Sequence, residues 1–430
     1  MTPCPTERLS GNSATAVPSG QDTASVPRGV QTASERVVVC GAGAAGMAAA
    51  ISAARAGKNV CLVEAAPQPG GTVARALIHT LGGLYDSAGE LLNAGLAAEL
   101  AARLFAADPS VRRRRMGRAW VLAVCPEVYR QVTQAWVESE PRISPHYETR
   151  VEHVAVAGHC VREVLVRGPD GEKRLPASAV IDATGTAEIV RLVDPALLQD
   201  DATRAAGGLI FSLRGVQPGT LAFPRGLGIV RMLREAADGG ELPAACARAW
   251  LDAGIADDEV YVKLFVPLAD RACAAERREA ILRDAIAEQA AVTAFLRRLP
   301  EFASAKLHRR GELGVRDGGR IRGEYCLTAD DVRQSRRFAD AACRCCWPIE
   351  YWDPQEGVSV EYLPDGSYYE IPLRALKVAG VCNLWAAGKC LSADRRAHAS
   401  ARVAGTCWSM GEAAGRAAAE VGSSLQVART

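Results

Sequence analysis

The chain has 430 residues, 49% of them apolar and 23% charged, and a formal net charge of +2. That length suits two or three intertwined domains, and the near balance of charge argues against nucleic acid or a membrane surface as partner. No apolar run reaches the roughly 18 to 20 residues that span a bilayer, and the N-terminus lacks the apolar segment of a secretory signal, so a cytoplasmic location is expected.

Residues 1–34 are rich in Ser, Thr, Pro and Gly without periodicity. Such a segment buries too little apolar surface to offset its ordering entropy and is expected to be a disordered tail. From Arg36 the order is strand, helix, strand. The run Val37-Val38-Val39-Cys40 leads into Gly41, Gly43 and Gly46, a G-x-G-x-x-G that opens a helix expected over 44–56. The first glycine permits a tight turn, the second lets a pyrophosphate reach the backbone, and the third lets helix and sheet pack closely. The first N–H groups of that helix point at the phosphates. Gly57 ends the helix where a positive φ is wanted. The next strand, "NVCLVE", stops at Glu64, at the distance where a carboxylate can accept hydrogen bonds from a ribose. A dinucleotide is expected here, at one site, because no second such motif follows a strand.

A helix is expected over 88–107, then strands in "RVEHVAVAGHCVREVLVRG" and "PASAVIDATG", joined by the turn Pro169-Asp170-Gly171. The stretch 205–375 mixes strands such as "VYVKLFVPL" with a helix expected over 274–299. A last strand and helix, "NLWAAG" and "TCWSMGEAAGRAAAEV", return to the first domain. The expected fold class is α/β: a Rossmann-like dinucleotide-binding domain (36–204 and 376–422) interrupted by a β-rich α+β substrate or cap domain (205–375).

Fourteen cysteines sit mostly in apolar stretches, Cys40, Cys61, Cys382, Cys390 and Cys407 among them, and are expected to be reduced core thiols. The cluster Cys343, Cys345, Cys346 lacks the distal ligands of a closed zinc or iron–sulfur site, so no metal is expected and buried or reactive thiols remain. The run Arg112 to Arg115 reads as a solvated charged face.

Together with the opening motif, "PQPGGTVARALIHTLGGLYD", "VIDATGTAEIV", "GGRIRGEYCLTADDV" and "LWAAGKCLSADRRAHASARVAGTCWSMGEAAGRAAAEV" resemble the FAD-dependent oxidoreductase family. These are two-dinucleotide-fold flavoproteins with a glutathione-reductase-like FAD/NAD(P)-binding fold. They are related to heterodisulfide reductase flavoprotein subunits and, more distantly, to succinate dehydrogenase and fumarate reductase flavoproteins. The resemblance spans about 36–421 and implies FAD as cofactor. By it, Gly41, Gly43, Ala45 and Gly46 would hold the pyrophosphate, with Gly71 and Thr72 in the next loop, and Glu64 the adenosine ribose. Val151 would meet the adenine through its backbone. Ala183 and Gly185 would let backbone pass close to the dinucleotide, and Gly388 would lie at the ribityl-phosphate region. Gly405 and Thr406 would aim the last helix at the pyrimidine edge of the flavin, which carries negative charge when reduced. Lys389 stands where many flavin monooxygenases carry Asp, which counts against a hydroxylase of that type. No Cys-x4-Cys follows Glu64, which counts against a redox-active dithiol.

The resemblance also implies that the loop "TLGGLYD" lies beside the flavin ring, which makes His79 and Tyr85 candidates for base and positioning group. "IHTLGG" is similar to the loop through which succinate dehydrogenase flavoproteins hold FAD covalently, so attachment at His79 stays open beside a plain loop histidine. His398 and Arg402 precede the flavin-facing helix, where a guanidinium can fix a carboxylate or stabilise anionic flavin. Arg316, Arg320 and Arg322 alternate as on a strand. Arg320 and Arg322 would then share one face and bind an acidic substrate, unless they pair with Glu324, Asp330 or Asp331. The expected function is dehydrogenation of a small, carboxylate-bearing metabolite, with a side-chain base taking a proton and a hydride passing to flavin N5. An NAD(P)H-fuelled reductase or monooxygenase and an electron-relay subunit are the alternatives. The oligomeric state is open, a homodimer being one option.

Overall fold

The computed structural model describes residues 36–199, 204–268 and 275–427; the expected disordered tail lies outside them. Val37 to Cys40 are buried because this run has apolar layers on both sides, the usual setting of a central parallel strand. The strand Arg36–Cys40 pairs in parallel with Asn59–Val63 and with Ala179–Asp182. Ile143–His146 and Leu384–Ala386 complete a parallel sheet of five strands. The last strand thus rejoins the first domain at the sheet edge, as the α/β Rossmann-like fold requires.

The first helix, Ala44–Arg55, packs along the last, Ala404–Val427. Their faces are glycine and alanine: a Cβ on Gly411 would overlap the Ala45 carbonyl, and one on Gly415 would overlap that of Ala49. Backbone therefore meets backbone, and the start of the last helix is held over the phosphate turn.

Arg150–Ala157, Cys160–Gly168 and Gly171–Pro176 form an antiparallel meander, with Pro169-Asp170-Gly171 as the turn between the latter two. The helix expected over 88–107 begins only at Leu96. Gly89 and Gly95 have φ of +86° and +75°, which break a helix, and the Glu412 carboxylate accepts the Leu96 N–H at 2.8 Å. The apolar residue Leu92 is a buried loop anchor instead.

A second, antiparallel sheet runs Trp250–Ala253, Glu259–Val266, Gly207–Arg214, Lys306–Arg310. Its core draws on residues such as Leu209, Phe211, Ile229, Val262, Val292 and Phe302. Cys345, Trp347, Ile349, Tyr351 and Tyr369, although inside the 205–375 stretch, pack into the core of the parallel sheet.

Two cysteines depart from expectation. Cys382 is bonded to Cys160, with Cα atoms 5.3 Å apart, while Cys40, Cys61, Cys390 and Cys407 are free and buried. The bond tethers the meander to the loop before the last parallel strand. Asn383 reinforces it by accepting from Val161 N (2.8 Å) and donating to Val161 O (2.7 Å) and Ser178 O (2.9 Å). Among the described residues no helix is long and apolar enough to cross a membrane.

Candidate functional site

At the carboxyl end of the parallel sheet the three motif glycines do different work. Gly41, at φ +101°, lies against the Ala183 carbonyl, and a Cβ on Gly46 would overlap the carbonyl oxygen of Gly41. Gly43 is not crowded in this way: its nearest neighbour would be Gly71 Cα, at 3.8 Å. Gly43 caps the first helix with no side-chain hydrogen bond. The first N–H groups of that helix therefore need an external acceptor, and an open glycine backbone at such a positive terminus suits a diphosphate. The residues present fit FAD.

Glu64 ends its strand with one oxygen accepting from Ala42 N (2.7 Å) and the other from Ala66 N (2.8 Å). This fixes the carboxylate while leaving lone pairs for a hydroxyl donor. Thr149 N donates to the Glu64 carbonyl (2.9 Å), which brings the half-buried Val151 alongside. Ala183 and Gly185 sit in a turn organised by buried Asp182, whose oxygens accept from Thr184 Oγ1 (2.7 Å) and Ile189 N (2.9 Å). Lys389 crosses Gly185 and donates to Val315 O (2.9 Å) and Thr72 Oγ1 (3.4 Å). Burial pulls its pKa down. Gly388, at φ +70°, would place a Cβ 2.9 Å from Ala45 Cβ and 3.5 Å from Cys407 Sγ, so the starts of the first and last helices meet there.

The loop Gly82-Gly83 lies against the start of the last helix. Gly405 N donates to Gly82 O (2.8 Å), Gly83 abuts Thr406, and a Cβ on Gly82 would be 2.7 Å from Trp347 Cη2. Tyr85 follows in that loop, buried, its hydroxyl without a partner. Burial pushes its pKa up to about 12, so it is a neutral phenol at ordinary pH.

His79 is engaged elsewhere. Its Nε2 lies 3.1 Å from Asp252 Oδ2, and its ring stacks on Tyr261 at 3.8 Å. Asp252 also accepts from Arg114 (2.7 Å) and Lys263 (3.4 Å). Burial lowers the imidazole pKa to about 4, against the pull of Asp252 and with help from Lys263 and Arg114. The unfolded imidazole binds a proton near pH 6.5 and the folded one only near 4. Stability is therefore whole above about 6.5 and falls on acidification toward 4, by about 1.4 kcal/mol per pH unit for this residue. Urea midpoints across that window should show His79→Gln losing one proton's share of the slope.

His398 is buried too. Its Nε2 bonds the Lys389 carbonyl (2.9 Å), and burial, then Arg320 and Arg402, hold its pKa well below the usual value. Arg402 also lies deep and keeps accessible surface. Among the described residues its guanidinium makes no hydrogen bond or ion pair. Burial lowers its pKa, against the opposing pull of the Glu350 and Asp317 carboxylates.

Arg320 and Arg322 do not share a face. Their segment has only isolated bridges, not a strand. Arg320 is fully buried, 3.5 Å from Asp317 and donating to Gln199 (3.0 Å), while Arg322 is exposed and donates to Leu198 O (3.0 Å). Arg316 is the arginine of this run that lies with Arg402, whose charge helps lower its pKa after burial. It lies 3.7 Å over the Trp352 ring. Glu350 accepts from Trp347 Nε1 (3.1 Å) and Trp352 Nε1 (2.9 Å). The sequence reading missed Glu350 and both tryptophans; their spacing in "CWPIEYWD", an acid flanked by indoles, was the available signal.

Cys343 and Cys345 are buried, with Cys345 Sγ 3.5 Å from Thr406 Oγ1. Cys346 donates to Tyr85 O (3.1 Å), and burial pushes its pKa up to about 12. Among the described residues no group of three His, Cys, Asp or Glu could hold a metal. The arginine run is not a plain solvated face: Arg114 binds Asp252, and Arg113 and Arg115 lie over Tyr85 and Trp120.

Residues 36–425 match the family model described as FAD dependent oxidoreductase. No curated protein matches the chain. Among solved structures it is similar to a geranylgeranyl bacteriochlorophyll reductase-like protein from Thermoplasma acidophilum, with 12% identity and a TM-score of 0.49 over 92% of this chain and 79% of that one. It is also similar to a probable FAD-dependent monooxygenase from Pseudomonas aeruginosa, with 15% identity and a TM-score of 0.40 over 92% and 87% of the two chains. The chain belongs to the FAD dependent oxidoreductase family, and FAD is its cofactor.

Proposed function

We propose that this FAD-dependent oxidoreductase dehydrogenates a small organic metabolite that bears a carboxylate. The observation that carries the reading is Arg402, a deep guanidinium with accessible surface and no internal acceptor among the described residues, just before the glycine start of the last helix. FAD, when bound, supplies a two-electron acceptor that takes a hydride. Gly43, Gly71, Thr72, Lys389 and the start of the first helix hold its diphosphate, with Gly41 and Gly46 fixing the turn and Ala45 and Gly388 closing the wall. Glu64 takes the ribose, Val151 backbone borders the adenine, and Ala183 and Gly185 line the passage between. Thr406 presents a helix N–H group to the flavin edge, and Gly405, its own N–H tied to Gly82 O, gives the close backbone approach there. Arg402 orients the substrate through its carboxylate, which sets the reacting C–H in place.

His79 and His398 are held neutral, each with Nε2 committed to a partner, so we assign both to positioning rather than proton transfer. Tyr85, a buried phenol, shapes the same loop. Non-covalent FAD is the corollary for His79.

The test is anaerobic reduction of the FAD-loaded protein by 2-hydroxy and 2-amino carboxylates and, separately, by NADH and NADPH. A carboxylate should bleach the flavin, and Arg402→Gln should slow this by about 100-fold with FAD content unchanged, the scale of losing a charge-assisted bidentate contact. Bleaching by NADPH alone would overturn the dehydrogenase reading and favour a reductase or monooxygenase.

A further inference from the structure

We propose that Arg316 and Arg402, with Glu350 between two indoles, form a subsite for one carboxylate on a substrate with an apolar body. The proposal deepens the reading above and rests on it for the position of the site.

Arg316 is held as a rigid fork. Its Nη1 donates to Ala206 O (2.7 Å) and Gly207 O (2.5 Å), the residues at the start of the strand Gly207–Arg214. The guanidinium carbon lies over the Trp352 ring, 3.7 Å from its centroid. Gly208 leaves room for it, since a Cβ there would sit 3.3 Å from Nη2. These bonds use Nη1 alone, and among the described residues Nε and Nη2 make no further ones. A fork fixed on one prong and set over an indole is pre-organised to bind a carboxylate with the other.

The charge balance sets how many carboxylates fit. Arg316 and Arg402 repel one another, and Glu350 is the carboxylate that opposes both. Asp317 is shared with Arg320, 3.5 Å away. Lys389, which also repels Arg402, is assigned to the diphosphate; the two guanidiniums and Glu350 then leave a single positive charge, deep in the protein, where an unbalanced charge is costly. One bound carboxylate neutralises it; a dicarboxylate overshoots. Glu350 cannot swing away to release more positive charge, because both its oxygens are held by indole N–H groups. The walls are aromatic: Trp347 against the Gly82 loop, and Trp352, whose ring stacks with Phe265 at 6.2 Å. An apolar or aryl body matches them.

The experiment titrates the FAD-loaded full chain with benzoate, with uncharged benzamide and with dianionic phthalate, reading the visible difference spectrum of the flavin. Benzoate should bind saturably, and benzamide and phthalate at least about tenfold more weakly. Arg316→Gln should weaken benzoate about 10- to 100-fold with FAD content unchanged. Glu350→Gln removes the opposing negative charge, leaves the subsite one unit more positive, and should shift preference from benzoate toward phthalate. Benzamide binding as well as benzoate, or Arg316→Gln leaving benzoate unchanged, would overturn the proposal. Should Arg316→Gln fail to fold, the phthalate-to-benzoate ratio in Glu350→Gln decides, and an unchanged ratio overturns it. Benzoate binding as expected, with no carboxylate able to reduce the flavin, sinks the dehydrogenase reading and keeps the subsite. Reduction by a carboxylate, with benzoate binding indifferent to Arg316, does the reverse.

Discussion

A Gly43→Ala protein is expected to fold within about 1 kcal/mol of the parent and yet to purify without FAD, whereas Gly46→Ala is expected to lose both cofactor and stability. Gly43 has φ −81° and ψ −172°, a backbone that alanine adopts freely. Its added Cβ would touch only Gly71 Cα, at an ordinary 3.8 Å. What the methyl takes is the open space beside the helix terminus that we assign to the diphosphate. At Gly46 the methyl would instead overlap the Gly41 carbonyl, with Ala183 Cβ at 3.2 Å on the other side. Both obstacles belong to the packed turn, and Gly41 is itself hemmed in by Ala183. The helix must then lift off the sheet, at a cost of about 3 kcal/mol or more. Flavin-to-protein absorbance ratios and urea midpoints of the two variants separate the effects. A yellow Gly43→Ala protein would place the diphosphate elsewhere.

Asp252→Ala should destabilise the protein by about 3–5 kcal/mol, the scale of removing one partner from a buried ionic cluster. Its carboxylate gathers His79, Arg114 and Lys263, whose side chains are at most 20% exposed. Removing it leaves two cations without their shared anion and His79 without its bond. Asp252→Asn keeps an acceptor for the imidazole and should cost less. Burial opposes ionisation of Asp252, but the His79 bond, then Lys263, hold its carboxyl well below the usual range. A depressed carboxyl pKa contributes stability above about pH 4, which is lost on further acidification, so the gap between parent and Asp252→Ala should close in strong acid. Urea unfolding at pH 7 and pH 3 measures both numbers. The cluster also anchors the segment leading to Gly82-Gly83, so Asp252→Ala should slow turnover even where FAD remains bound.

The nucleotide half of the molecule was legible along the chain because its signals are local. A buried parallel strand needs a continuous apolar run, a phosphate turn needs glycines at set positions, and the acid of the next strand follows at a set distance. Gly41, Gly43, Gly46, Gly57 and Glu64 stand where those requirements put them. The return of the last strand and helix was legible for the same reason.

The remainder was decided by contacts between residues far apart in sequence. His79 meets Asp252 across 173 positions, and Cys160 meets Cys382 across 222. No periodicity announces either pair. Alternation in "GVRDGGRIRGEY" suggested a strand, but its glycines support only isolated bridges, and Arg320 turned inward while Arg322 turned out. A charged side chain takes its role from the nearest opposite charge and from its depth, and both are properties of the packed chain. Arg316 and Arg402 therefore became a candidate pair only once the fold had carried them to Glu350.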